Sequence, residues 1–209
     1  IIIIDATSHD KTLAIAKNFQ NYITRIYSVS YYNIYEMMNW GISLASGEYL
    51  SFLFPGDFYT SQESLHHMMR LVISNDMPDL AYCGCLLRDD SRPPRIMLRP
   101  LHPRLLSRGR MPSCLQSFFF NSNLLHRLGK FRSNYTIRGG LDLLCRFCQQ
   151  NKRRHAVSHR ILIDSNRENT MDKTLLSHSR ETLKIVSQYF GLLSAMKYWF
   201  THSHFTTIK

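Results

Sequence analysis

With 209 residues, 44% of them hydrophobic and 12% aromatic, the chain can bury one substantial core; disordered and fibrous classes are excluded and a single domain is expected. No stretch approaches the roughly 20 apolar residues that cross a bilayer, and Ile1 to Ile4 lacks the basic flank and cleavage site of a signal peptide, which points to a soluble protein. The formal charge of +11 gathers in Arg88 to Arg110 and Lys152 to Arg160, so anionic partners are favoured, with a plain solubilising surface as the other reading.

Ile1 to Ile4 is β-branched and continuously apolar, the composition of a strand buried on both faces of a parallel sheet, and it stops at Asp5-Ala6-Thr7-Ser8. Because the chain opens inside this run without a polar lead-in, a preceding segment is expected. Ser8 or Asp10 can cap a helix begun by Leu13, Ala14 and Ala16, and Ile23 to Val29 reads as a second strand. Ile34 to Ala45 spaces its apolar residues by three and four, which predicts a helix stopped by Ser46-Gly47. Tyr49 to Phe54 reads as a strand ended by the turn Pro55-Gly56-Asp57. A helix over Ser61 to Ser74 and a strand over Leu80 to Leu87 continue an alternation typical of an α/β sheet with right-handed crossovers.

Arg88 to Pro112 is rich in Arg and Pro and without periodicity, which predicts a long loop lying across a cleft. Leu115 to Phe120 follows as a strand, Ser122 to Leu128 as a short helix ended by Gly129, and Leu141 to Gln150 as a helix. Thr182 to Phe200 closes the chain as one amphipathic helix, with Leu183, Val186, Phe190, Leu193, Met196 and Phe200 on its stripe. Its aromatic end, Tyr198 to Phe200 near Lys184 and Lys197, suits either core packing or a peripheral membrane contact. The odd count of five Cys points to reduced thiols and a cytoplasmic setting. Cys145 and Cys148 have C-x-x-C spacing, and Cys83 and Cys85 would complete a zinc site, but an apolar helix carries the first pair and packing is the expected role.

Ligands of an open α/β sheet sit beyond the carboxyl ends of its strands, which directs attention to Asp5 and Asp57. Around them, IIIIDATSHDKT resembles the nucleotide-binding turn of family 2 glycosyltransferases, a buried strand followed by D-x-x-S-x-D-x-T, here Asp5, Ser8, Asp10 and Thr12. NIYEMMNWGISLASGEYLSFLFPGDFY resembles the segment G-I-Y-D-A-M-N-K-G-I-x-x-A-x-G-E-Y-x-x-F-L-N-S-G-D, with Tyr35, Asn39, Gly41, Gly47, Glu48, Tyr49 and Asp57 in register. Gln116, Gly129, Phe131, Tyr135, Ile137, Asp142 and Arg146 match the acceptor-side segment that ends in D-Y-D-L-x-L-R, so the resemblance runs from residue 1 to about residue 147. Tyr31, Trp40 and Gly140 depart from it, replacing respectively an aspartate, a Lys or Arg, and the first acid of D-Y-D.

The resemblance implies one GT-A domain over residues 1–209, α/β and Rossmann-like, with a mostly parallel sheet flanked by helices. The family's first strand and helix would be missing, and residues 182–200 would form the C-terminal amphipathic helix. The implied activity is inverting, hexosyl-type transfer from a nucleotide-sugar donor to a saccharide or lipid-linked acceptor in cell-envelope polysaccharide synthesis, with Mg²⁺ or Mn²⁺ as cofactor. Asp5, Ser8, Asp10, Asn39 and Asp57 would bind the nucleotide sugar, Asp57 would also hold the metal, and Asp142 is the remaining candidate for the base. The implied location is cytoplasmic, peripheral at the inner face of the membrane. The three departures motivate a second reading, a catalytically degenerate GT-A-like binding or scaffold protein. Nucleic acid is not expected as a partner, since the basic residues lack interleaved aromatic platforms.

Overall fold

A computed structural model of the chain describes residues 1–30, 33–89, 92–166 and 175–202; Tyr31 lies outside them. The apolar opening forms β1 (Ile2–Asp5), which pairs in parallel with β2 (Arg25–Ser28), Ile3 opposite Ile26 and Asp5 opposite Ser28. The crossover between them carries α1 (Thr12–Asn18). Helix α2 (Ile34–Leu44) starts where expected because Asn33 caps it, its side-chain oxygen accepting the Tyr35 amide at 2.9 Å. On its β1 side Gly41 permits close approach, since a Cβ there would lie 3.2 Å from Ile4 Cδ1.

The opposite side of α2 is pinned to the body of the protein. Asn33 donates to Ser133 O at 2.6 Å, Tyr35 donates to Ile137 O at 2.7 Å, and Asn39 exchanges two hydrogen bonds with the Phe131 backbone. That body is built on a second sheet made of β3 (Tyr49–Leu50), β4 (Phe58–Tyr59), β5 (Leu80–Asp89), β6 (Arg92–Met97), β7 (Phe118–Asn121) and β8 (His155–Asn166). The strand order is β3-β7-β5-β8-β4, with β6 added on β5. Only the β5–β8 ladder of this sheet is parallel, so the expected α/β class holds while the pairing is mixed rather than mostly parallel.

The period-2 alternation of strands divides the core into two layers. Leu80 and Tyr82 of β5, with Phe118 and Phe120 of β7, face Tyr35, Met38 and Ile42 of α2 and the helices α5 (Ser122–Leu128), α6 (Gly139–Cys148) and α7 (Leu175–Phe190). Ala81, Cys83, Cys85 and Phe119 face the other way, onto Met68 and Val72 of α3 (Ser64–Ser74). Cys83 and Cys85 thus lie in one layer and Cys145 and Cys148 in the other, which separates the two thiol pairs of the zinc reading.

Several boundaries differ from expectation for identifiable reasons. The Tyr49 to Phe54 strand is cut to β3, because the Phe54 amide turns onto the Asp57 carboxylate at 3.2 Å instead of joining a ladder. Arg88 to Pro112 contains β6, antiparallel to β5, and a short helix α4 (Pro103–Leu106) capped by His102. Strand β8 falls in the basic stretch read as a charged surface. The C-terminal helix is two helices, α7 and α8 (Leu192–His202), divided at Gly191, whose φ of 80 is left-handed and ends the first one.

Helix α7 is tied to the start of α6 by one carboxylate. Glu181 accepts the backbone amides of Thr136, Ile137 and Arg138 at 2.8 to 3.0 Å, and the Thr136 hydroxyl at 2.8 Å. Burial pushes its carboxyl up, but these hydrogen bonds outweigh that effect and hold its pKa below the ordinary 4.5. A carboxyl depressed by folding stabilises fully above its unfolded value, and that stabilisation is lost as pH falls through the folded value. Glu181→Gln should therefore be less stable at neutral pH, and its melting temperature should fall less steeply than wild type as pH drops below 4.5. Parallel pH profiles for the two proteins would contradict this account.

Candidate functional site

Asp5 ends β1 and is almost fully buried, held by its own turn. The Ser8 amide donates to Asp5 Oδ2 at 2.9 Å, the Ser8 hydroxyl donates to Oδ1, and Ser28 at the end of β2 donates to Oδ2 at 3.3 Å. The Ser8 hydroxyl is the largest influence lowering the Asp5 pKa, and burial opposes it. The carboxylate therefore stays ionised, a hydrogen-bond acceptor at the carboxyl end of a parallel strand pair. Asp10 has the simpler role of accepting the Thr12 amide at 2.9 Å at the entry to α1; the Thr12 side chain and then its amide lower its pKa.

A cleft of about 390 Å³ opens next to this turn, lined by Val29, Ser30, Glu36, Met37 and Trp40. Val29 continues the strand pairing, its amide donating to Asp5 O at 2.8 Å, so the cleft lies at the carboxyl edge of β1 and β2. Trp40 forms a wall of it and rests on Tyr27, with ring centroids 4.9 Å apart. A position where the resemblance expects a cation therefore carries a fixed aromatic surface. Asn39, one residue earlier, faces the body and spends half its hydrogen-bonding capacity on Phe131, leaving one amide hydrogen and one lone pair.

Asp57 anchors a second group of residues. Its Oδ2 accepts the Phe54 amide at 3.2 Å and Gln116 Nε2 at 2.6 Å, and its Oδ1 accepts the Asn166 amide at 3.2 Å. Gln116 Nε2 also reaches Ser165 Oγ at 3.4 Å. The half-buried carboxylate thus sits where the β3 turn, the 3-10 turn Leu115–Ser117 and the end of β8 meet. Beside it, Arg88 pairs with Asp164 at 2.5 Å and lies over the Phe58 ring at 5.2 Å. Ser165 and Asn166 gave no sequence signal, because nothing in a basic stretch announces a strand whose last residues turn toward a site.

As a cation site, Asp57 offers hard oxygen donors only. Its Oδ1 accepts the Asn166 amide, its Oδ2 accepts the Phe54 amide and Gln116 Nε2, and Ser165 Oγ lies 3.4 Å from that same Nε2. No group of three or more His, Cys, Asp or Glu suited to a metal occurs among the described residues. Such a set fits Mg²⁺ or Mn²⁺ in the manner of a single-carboxylate site completed by phosphate oxygens and water, and does not suit a metal caged wholly by protein.

Asp142 is placed differently from a base awaiting an acceptor hydroxyl. It is fully buried in the first turn of α6, with Oδ1 taking Tyr189 OH at 2.8 Å and Arg132 at 3.2 Å, and Oδ2 taking Arg146 Nε at 2.9 Å. Arg146 goes on to bind the carbonyls of Leu128 and Lys130. The space at Gly140, where the resemblance expects an acid, is apolar and occupied: a Cβ there would lie 3.1 Å from Leu115 Cδ1 and 3.4 Å from Met111 Cε. The structure therefore gathers Asp5, Ser8 and Ser28 in one place, Asp57, Gln116, Ser165 and Asn166 in another, and Asp142 in a third. No hydrogen bond among the described residues joins the three.

No family profile and no curated protein matches the sequence. Solved structures do match. S. aureus TarS 1-349 in complex with UDP-GlcNAc superposes with a TM-score of 0.73 at 13% identity, covering 100% of this chain and 66% of that one. TarS in a longer form gives 0.68 at 14% identity, over 90% of this chain and 33% of that one. The mannosyltransferase PcManGT from Pyrobaculum calidifontis, in complex with GDP-Man and Mn²⁺, gives 0.59 at 11% identity, over 97% of this chain and 65% of that one. This chain thus spans from a third to about two thirds of these neighbours. What it shares with them is the GT-A-like α/β fold of glycosyltransferases.

Proposed function

We propose that the chain is a donor-binding glycosyltransferase domain, which holds a nucleotide sugar between the Asp5 turn and the Asp57 turn and transfers the sugar to a saccharide or lipid-linked acceptor. The observation that carries this reading is the pair of hydrogen-bonded carboxylates, Asp5 at the carboxyl end of β1 and Asp57 in the turn between β3 and β4, in a fold whose neighbours bind UDP-GlcNAc and GDP-Man. Asp5, oriented by Ser8 and Ser28, accepts from the base or ribose. Trp40, braced by Tyr27, lends a ring face to the nucleobase along the cleft. Asp57, oriented by Gln116 and the Asn166 amide, faces the diphosphate.

A divalent cation bound at Asp57 would supply charge neutralisation for the departing nucleoside diphosphate. The protein's own contribution is to aim that carboxylate, which Gln116 Nε2 does directly. Displacement in a single step would invert the anomeric carbon, and the proton of the acceptor hydroxyl would leave to a base outside the Asp142 cluster. Trp40→Ala should weaken nucleoside diphosphate binding by roughly 1–3 kcal/mol, measured by calorimetric titration in the presence of Mn²⁺. An unchanged affinity would remove Trp40 from the base site.

A second reading, a degenerate domain that binds the donor without turnover, is favoured by the apolar surroundings of Gly140 and the enclosed Asp142. Incubating UDP- and GDP-sugars with Mn²⁺ and following release of the nucleoside diphosphate separates the two. Metal-dependent binding with sugar release supports the transferase, binding without any release supports the degenerate domain, and no binding to either nucleotide sinks both.

A further inference from the structure

The two-helix end of the chain leaves a large apolar surface uncovered. On α8, Leu192, Leu193, Met196, Trp199 and Phe200 are 75, 76, 53, 51 and 61% exposed. At 3.6 residues per turn these five fall within an arc of roughly 120°. Ala195 and Tyr198, on the remaining circumference, are buried and dock the helix on the protein. Lys197 is exposed at the rim of the arc. The last two turns of the expected stripe, Leu193, Met196 and Phe200, thus face outward, on a helix that starts anew after the break at Gly191.

The charge beside this helix is one-sided. From Arg92 to Gly140 the sequence holds ten Lys and Arg and no Asp or Glu. Arg104, Arg108 and Arg110 are exposed, and none has an ion-pair partner among the described residues. Burial first, and the like charges of Arg110 and Arg95 after it, lower the pKa of Arg99, as expected of a cationic patch without counter-charge. This segment touches α8 directly: Gly109, between Arg108 and Arg110, has a φ of 66, and a Cβ on it would lie 2.9 Å from Tyr198 Cε2. Tyr198 is on the docked side of α8, so these arginines stand about one helix diameter, roughly 10 Å, behind the apolar arc.

We propose that α8 and the arginine segment together form a docking surface for an anionic lipid bilayer, with the five-residue arc seated at the acyl boundary and Arg104, Arg108 and Arg110 at head-group depth. The dimensions match an interfacial helix, whose apolar face enters by roughly 5–10 Å. No described helix is long and apolar enough to span a membrane, so contact of this kind is lateral. The charge selects the occupant: a second copy seated on the arc would leave both sets of arginines without counter-charge, whereas an acidic leaflet neutralises them. The inference is independent of donor chemistry, but it would bring a lipid-linked acceptor to the domain.

Flotation of the whole chain with vesicles of phosphatidylcholine alone, or mixed with phosphatidylglycerol, tests it. The protein should float with the anionic vesicles and stay behind with the neutral ones. Leu193→Ser/Trp199→Ser/Phe200→Ser should cost well over about tenfold in partitioning. Arg104→Gln/Arg108→Gln/Arg110→Gln should cost roughly fivefold per arginine, and added salt should act in the same direction. The arginine variant should keep the wild-type melting temperature, and the serine variant, which gives up the half-buried contacts of Trp199, should stay folded with a melting temperature lowered by a few degrees. Equal binding to both vesicle types, no binding to either, or binding indifferent to both variants would overturn the proposal. So would a wild-type dimer in sedimentation that the triple serine variant makes monomeric, or retention by soluble polyphosphate without vesicle binding.

Discussion

Replacing Asp57 by alanine should abolish the Mn²⁺-dependent part of nucleoside diphosphate binding, a loss of more than about 100-fold in affinity. The expectation follows from the donor set: among the described residues no second carboxylate hydrogen-bonds to the Asp57 turn, and the neighbouring Asp164 is paired with Arg88. Asp57 also joins three chain segments, and its removal leaves the Phe54 and Asn166 amides and Gln116 Nε2 without their acceptor, with a stability cost of roughly 1–3 kcal/mol. Asp57→Asn separates these effects. The amide oxygen can replace Oδ2 toward Phe54 and Gln116 while the NH2 group meets the Asn166 amide donor to donor, so only part of the stability cost is spared, yet the charge that attracts the cation is gone. Gln116→Leu keeps the carboxylate but frees its orientation, and a loss of roughly 10–100-fold is expected, as for other outer-shell partners. Calorimetric titration of UDP and GDP with and without Mn²⁺ reads all three. An Asp57→Ala protein that retains metal-dependent binding would remove this turn from the donor site.

The two groups of site residues were not equally visible in the sequence. Asp5, Ser8 and Asp10 share one continuous turn, so their spacing already encodes their geometry, and Ser8 donates to Asp5 as a neighbour three residues away should. Asp57 was visible because a Pro-Gly-Asp turn after an apolar run marks a strand end. Its partners Gln116, Ser165 and Asn166 come from far along the chain and meet it only through sheet topology. The run of residues 152–160, crowded with Arg, Lys and His, hid β8, whose buried end at Leu162 to Ser165 is too short and too polar to outweigh the charge. The C-terminal break rests on one residue: Gly191 interrupts a helical pattern, and its left-handed backbone ends α7 and lets α8 start in a new phase. Asp142 illustrates the reverse case. A motif position suggested chemistry, while the partners that define its environment, Arg132, Arg146 and Tyr189, include one 47 residues downstream that no local pattern joins to it.

Asp142→Ala should be among the most destabilising substitutions in the chain, by roughly 3–5 kcal/mol, because it strands a buried guanidinium. Arg146, with a side chain only 10% exposed, would keep the Leu128 and Lys130 carbonyls but no counter-charge. Arg132, far more exposed, could rehydrate and contributes less. The same carboxylate also secures α7 through Tyr189, so its loss loosens the C-terminal helix pair from α6 and should lower the melting temperature by roughly 10 °C or more. Tyr189→Phe removes the hydrogen bond donated to Asp142 and the one accepted from Arg132 at 3.0 Å, and roughly 1.5–3 kcal/mol is expected. A double-mutant cycle between Asp142→Ala and Arg146→Ala should return a large coupling, since the first alone strands the Arg146 guanidinium, the second alone leaves Asp142 to Arg132 and Tyr189, and both together leave no buried ion. A catalytic base would behave otherwise: Asp142→Asn would melt near wild type and lose sugar release outright. Thermal melting and donor turnover measured on the same preparations distinguish a charged strut from a proton acceptor, and the buried, three-donor geometry predicts the strut.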